Sequence, residues 1–240
     1  MQQPHGHTLK AFDQDLADLR ALITDMGSFA EAAIDEAMRC LIEHDTKAAK
    51  QLVEADTQLD ELEAEAERRV VELIALRAPM ADDLRDAIAA LKIAGVVERI
   101  GDYAKNIARR VRRLPKKSQE IEPLSLLPEM AKIASGMVQD VLTAFVERDP
   151  QRAQAVCRRD DALDDFYESI FRTLLTYMME NPQNIGPSTT LLFVAKNLER
   201  IGDHATNIAE MVYYVVTGER MEERERGEQP EDGAAEQEQG

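Results

Sequence analysis

The segment Glu98 to Val111, ERIGDYAKNIARRV, returns as Glu199 to Val212, ERIGDHATNIAEMV, with ten of fourteen positions identical. A second correspondence lies upstream at an offset of 104 residues. There Glu43, His44 and Asp45 align with Glu147, Arg148 and Asp149, and Ala49, Val53, Asp56, Leu59 and Asp60 align with Ala153, Cys157, Asp160, Leu163 and Asp164. Self-similarity over this distance means two copies of one structural unit. The offset falls from 104 to 101 along the unit, so the second copy has three fewer residues before its last element. The expected relation between the copies is a pseudo-twofold axis.

Prolines divide the chain into long proline-free stretches rich in Ala, Leu, Glu and Arg. Proline breaks helix interiors but is tolerated in the first turn. Within the stretches, apolar residues recur every three or four positions, the period of an amphipathic helix. No alternating β-branched run competes. The pattern predicts an all-α chain of six long helices: 9–44, 46–78, 81–113, 126–148, 151–180 and 188–217. Asp45 and Asp149 are placed to cap the second and fifth of them, with Pro150 at the first helical position. One helix of ~30 residues, ~45 Å long, cannot bury its own apolar stripe, whereas three packed antiparallel can. The expected organisation is a short flexible N-terminus (1–8), a three-helix unit (9–114), a linker (115–125), a second three-helix unit (126–217) and a disordered acidic tail (218–240).

Charge narrows the partners. The net charge is −17. Gly218 to Gly240 carry nine acids and three arginines, a net −6, which leaves −11 on the rest. An acidic body suits cations or basic protein surfaces, and it argues against nucleic acid, whose phosphates need a basic face. No run of about 18 apolar residues marks a membrane-spanning helix, and the polar opening of the chain has no signal-peptide character. A cytoplasmic protein without direct membrane insertion is expected. Cys40 and Cys157 form no CxxC and read as two buried thiols.

The chemistry lies in the acids. Glu98, Asp102 and Asn106 follow at i, i+4 and i+8, which places them on one helical face, opposite Ile93, Val97, Ile100, Ala104 and Ile107. Glu199, Asp203 and Asn207 repeat the arrangement. On the preceding helix, Asp56, Asp60, Glu63 and Glu67 form a second ladder, and Asp160 and Asp164 are its counterparts. Like charges one turn apart destabilise a helix slightly. A solvated charged face is the plain explanation for one such pair, but here both copies keep the same acids while diverging elsewhere. If the two ladders face each other across a groove, carboxylates without cysteine suit hard cations. The expected metal ligands are Asp56, Asp60, Glu98 and Asp102 in one groove, and Asp160, Asp164, Glu199 and Asp203 in the other. Both sites are expected to be open, since these acids point away from their own core stripe. Arg99 and Arg200 read most simply as ion-pair partners of these acids. Gly101 and Gly202, mid-helix at a cost of ~1 kcal/mol each relative to Ala, read as points of close helix packing. His204 reads as a satisfied histidine at the core edge.

The two ERIGD segments with their following Ala-x-x-Asn, the paired Asp motifs (Asp56 with Asp60, Asp160 with Asp164) and the stretch Arg77-Ala-Pro-Met-Ala-Asp-Asp-Leu-Arg85 resemble the PhoU family of phosphate-transport regulators. The resemblance covers about residues 9–217. It implies two three-helix bundles that form a homodimer, and no enzymatic activity. It also implies bound divalent or trivalent metal ions (Mg, Mn, Fe or Zn) at the Glu/Asp-x-x-x-Asp motifs. The implied function is negative regulation of phosphate uptake and of the phosphate-starvation response. The implied partners are the ATPase of a phosphate ABC transporter and a sensor histidine kinase. The acidic tail is not part of that family core. Two other readings stay open from the residues: a metal-binding accessory subunit of a low-affinity phosphate transporter, and a metal-dependent helical-bundle enzyme. Against the enzyme, no His has a Glu three residues before it, and no P-loop, nucleophile elbow or HExxH is present.

Overall fold

In a computed structural model, residues 5–115 and 122–221 are described, and among them there is no strand. The first unit contains α1 (His5–Glu43), α2 (Thr46–Ala55), α3 (Thr57–Arg77) and α4 (Asp82–Val111). The second contains α5 (Leu127–Glu147), α6 (Pro150–Glu180) and α7 (Ile185–Thr217). The expected second helix is thus interrupted at Asp56. That residue keeps helical angles (φ −58°, ψ −29°), and its carbonyl accepts from both Leu59 N (2.9 Å) and Asp60 N (3.3 Å). So α2 and α3 form one arm with a single displaced turn, and α6 is the unbroken counterpart.

The repeat is visible in the backbone. α1 and α5 both end on a left-handed residue, His44 (φ 54°) and Arg148 (φ 55°). The next residue then caps the following helix. Asp45 accepts from the backbone N–H groups of Lys47 (3.1 Å) and Ala48 (2.9 Å), and Asp149 accepts from Gln151 (2.9 Å) and Arg152 (3.0 Å). Each cap satisfies donors that the first turn leaves orphaned, worth ~1 kcal/mol.

Within the first unit α1 packs on α3 and α4, and within the second α5 packs on α6 and α7. Between the units, α1 meets α5 and α4 meets α7. Each helix at the junction therefore touches its own counterpart, as a twofold relation requires. α4 and α7 cross antiparallel: Arg85 lies over Tyr214 (5.6 Å), Arg200 over Tyr103 (5.8 Å) and Arg110 over Phe193 (4.3 Å). Tyr103 and His204, equivalent positions of the two copies, stack near the axis with ring centroids 5.3 Å apart.

The core is built from Leu, Ile, Val, Ala and Met along both units and is continuous across the junction. Gly218 ends α7 in the left-handed conformation (φ 78°), and Met221 still packs against the core. The segment expected to form the acidic tail otherwise lies outside the described residues, as do the first four residues and 116–121 of the linker.

Two glycines let the arms sit close. A Cβ on Gly101 would stand 2.2 Å from Leu59 Cδ2, and one on Gly202 would stand 2.3 Å from Leu163 Cδ2. Leu59 and Leu163 are fully buried, so neither has free space to retreat into. Gly95, also in α4, has only Glu63 Oε1 at 3.7 Å, an ordinary contact. We expect Gly95→Ala to raise stability by up to ~1 kcal/mol through helix propensity. Gly101→Ala and Gly202→Ala should instead lower it by ~1 kcal/mol net, because overpacking outweighs the same propensity gain. Urea unfolding of the three variants checks the difference in sign.

Candidate metal centres in two acidic grooves

The leucine–glycine contact places the acids. With Leu59 seated on Gly101, Asp56 is drawn against α4, its Oδ1 4.0 Å from where a Gly101 Cβ would be. With Leu163 on Gly202, Asp160 Oδ1 comes to 3.0 Å from the equivalent point. Asp60 and Asp164, one turn further along each arm, are exposed at the groove edge. Glu98 and Asp102 face the first arm from α4, and Glu199 and Asp203 face α6 from α7.

The electrostatics show that the ladders meet. The Glu98 carboxyl is pushed up from its ordinary 4.5 to about 6, first by burial, then by Asp102, Asp60, Glu63 and Asp56. The other three acids predicted for the first groove therefore all act on Glu98, with Glu63 added. In the second groove the Glu199 carboxyl is also raised. Burial is the largest cause; a bond from Lys196 opposes it, and Asp203 and Asp164 add to it.

Three of the eight predicted ligands are not open to solvent. Asp56 (7% exposed), Asp160 (3%) and Glu199 (8%) are buried in the seams between arm and helix. The expectation of open sites fails there because the glycines bring the helices closer than a helical wheel implies. Each groove also holds a lysine the sequence reading did not use. Lys105 pairs with both Asp56 and Asp102, bridging the arm and α4. Lys196 bonds to Glu199 Oε1 within α7. Position 105 lies on the same face as Asp102 and Glu98, at i+3 and i+7, and that spacing was the available signal. Glu199 Oε2 is buried without a hydrogen-bond partner. Among the described residues no three His, Cys, Asp or Glu close on one point. A cation in either groove needs the exposed Asp60 or Asp164 and the half-buried Asp102 or Asp203 to rotate inward. The oxygen-only donor set suits a hard ion.

Arg99 and Arg200 do not pair with these acids. Neither forms an ion pair among the described residues. Arg200 lies over the Tyr103 ring at 5.8 Å. Arg99 acts on His204, whose pKa is lowered by burial first and by the Arg99 charge second. His204 Nε2 stands 3.2 Å from the Tyr103 hydroxyl. Arg99 and the aromatic position of the motif thus serve the junction, while the Arg200 charge reaches both Tyr103 there and Tyr167 at the second groove. Also unread was Asp86, nearly buried, which holds Arg20 (3.3 Å) and Arg148 and ties α1, α4 and the end of α5 together.

Comparison with known proteins places this architecture. A family profile described as the PhoU domain matches twice, over residues 23–111 and 127–212. The chain is 53% identical over 222 residues to a phosphate-specific transport system accessory protein PhoU homolog of Zymomonas mobilis, covering 92% of this chain and 93% of that one. It is 48% identical to the protein of the same description from Caulobacter vibrioides, covering 90% and 94% of the two chains. A crystal structure of PhoU from Pseudomonas aeruginosa superimposes with a TM-score of 0.82 at 36% identity, over 87% of this chain and all (100%) of that one. The phosphate transport system regulatory protein PhoU from Streptococcus pneumoniae gives a TM-score of 0.81 at 27% identity. The chain belongs to the PhoU family. No helix of its described residues is long and apolar enough to cross a membrane.

Because the raised Glu98 pKa lies above its unfolded value, ionising Glu98 weakens the fold as pH rises from 4.5 to about 6. Glu98→Gln, measured in chelator, should therefore raise the melting temperature above pH 6 and leave it unchanged below the window. Thermal melts at pH 4 and pH 7.5 check both arms.

Proposed function

We propose that this chain is a cytoplasmic regulator of phosphate uptake that holds the phosphate-starvation response off while phosphate is plentiful. The observation that carries this reading is the family match in both halves, with relatives described as accessory proteins of phosphate-specific transport. In this reading it works by contact with the ATPase of a phosphate ABC transporter and with a sensor histidine kinase, as a homodimer and without catalysis of its own. The acidic body supports recognition of basic protein surfaces. The absence of a hydrophobic span among the described helices is consistent with action from the membrane's aqueous side.

The grooves supply the second part of the proposal. Asp56, Asp60, Glu98 and Asp102 in one, and Asp160, Asp164, Glu199 and Asp203 in the other, would hold divalent or trivalent ions such as Mg, Mn, Fe or Zn. The ion would relieve the repulsion that raises Glu98 and Glu199 and would stiffen each arm against its helix. The support is the gathering of carboxylates from two helices in each copy and the unpartnered Glu199 oxygen.

Deleting the gene should switch on phosphate-starvation genes in phosphate-rich medium, read with a reporter for the transporter operon. Reporter activity equal to that of the parent strain would contradict the regulatory role.

A further inference from the structure

The twofold relation between the copies gives the crossing of α4 and α7 two equivalent flanks, and the two are filled differently. On one flank Arg110 of α4 lies across Phe193 of α7, its guanidinium carbon 4.3 Å from the ring centroid. At the repeat offset of 101 residues, the counterparts of Arg110 and Phe193 are Met211 and Lys92. Neither offers a ring or a guanidinium, so the same plate cannot form over the crossing there. The second flank is instead a cleft of about 840 Å³. Small-molecule sites run from roughly 300 to 1,000 Å³.

The lining sets what fits. Lys92, Arg99 and Arg220 border the cleft, and none of them forms an ion pair among the described residues. Glu210 is the one acid on the wall, so the wall is net positive in a chain of net charge −17. Val96, Met211 and Tyr214 give the wall apolar surface, and Tyr214 is 43% exposed. Met221 closes one side: Gly218 turns the chain out of α7, and Met221 folds back against the core at the edge of the cleft. His204 also lines it, with a buried Nδ1 that has no hydrogen-bond partner. Cations gathered in a concave wall favour a bound anion, and arginine forks take carboxylate or phosphate oxygens in pairs. Apolar surface beside them favours an apolar body on the same molecule.

We propose that this cleft binds a small organic anion: a carboxylate or phosphate ester met by Arg99, Lys92 and Arg220, with an apolar body laid against Met211 and Tyr214. The site belongs to the junction, apart from the acidic grooves, and it stands independently of the metal reading.

The test is fluorescence titration of the full chain with 1-anilinonaphthalene-8-sulfonate, an anion with an apolar body, at fixed ionic strength. Arg99→Gln and, independently, Arg220→Gln should each weaken binding about tenfold, the worth of one charge-assisted hydrogen bond. Lys92→Phe combined with Met211→Arg copies the plate of the other flank. It should abolish binding while leaving Arg99 and Arg220 in place. Millimolar phenyl phosphate or benzoate should displace the probe, and the tighter of the two identifies the anionic group the cleft prefers. A wild type that binds no probe, affinity unchanged in both arginine variants, binding that survives the copied plate, or displacement by neither competitor would each overturn the proposal. Circular dichroism shows whether each variant keeps its helix content, and the arginine variants, altered only at exposed positions, keep the result readable if the double substitution fails to fold.

Discussion

The seat of Leu59 on Gly101, repeated as Leu163 on Gly202, sets the geometry of everything that follows. A helix pair normally keeps a layer of side chains from both partners at its crossing. Here one partner contributes a hydrogen, so the leucine reaches the backbone and the arm comes in by the thickness of a methyl group or more. The aspartate one turn earlier on the arm is then pressed against the neighbouring helix. The Glu-x-x-x-Asp pair of that helix flanks it. The spacing of the ERIGD motif follows from this: glycine faces the leucine, and the acids on either side face the arm's carboxylates.

Burial gives those carboxylates their character. Solvated acids on a helix face repel weakly and titrate normally. In these seams burial is the first cause that raises Glu98 and Glu199, and neighbouring acids add to it. Such a cluster is unfavourable by itself and calls for positive charge. The first copy supplies it from Lys105, between two helices; in the second, Lys196 meets Glu199, and the Arg200 charge reaches Tyr167 beside it. Duplication thus preserved the acids while changing how each set is neutralised. Around the same helices, Arg99, Arg200, Tyr103 and His204 turn the other way and line the axis where the two copies meet. One fourteen-residue motif therefore serves a groove on one side and the junction on the other.

Much of this was legible in the sequence. The repeat, the proline punctuation and the Asp45 and Asp149 caps gave the helices, and the mid-helix glycines announced close packing. The repeat gave the two three-helix units, and the spacing along each helix gave the acidic faces. What stayed hidden depends on distance across the fold, which spacing along one helix does not encode. The burial of Asp56 and Glu199 follows from how near the arm comes. Lys105 lay on the acidic face, but its bridge to Asp56 needs a partner 49 residues away. Asp86 carries no motif of its own, and its partners come from α1 and the end of α5. Arg99 and Arg200 were adjacent in sequence to the acids, but neighbouring positions on a helix point about 100° apart, and the arginines face the axis.

The central proposal is that the carboxylates gathered at the leucine–glycine seams hold a metal ion. Anomalous diffraction from crystals grown in Mn²⁺ tests it most directly. The proposal predicts a peak within coordinating distance of the groove carboxylates, Glu98 and Asp102 or Glu199 and Asp203. Crystals saturated with Mn²⁺ that show no peak in either groove, with the lysine ammonium groups as the sole cations there, would contradict it.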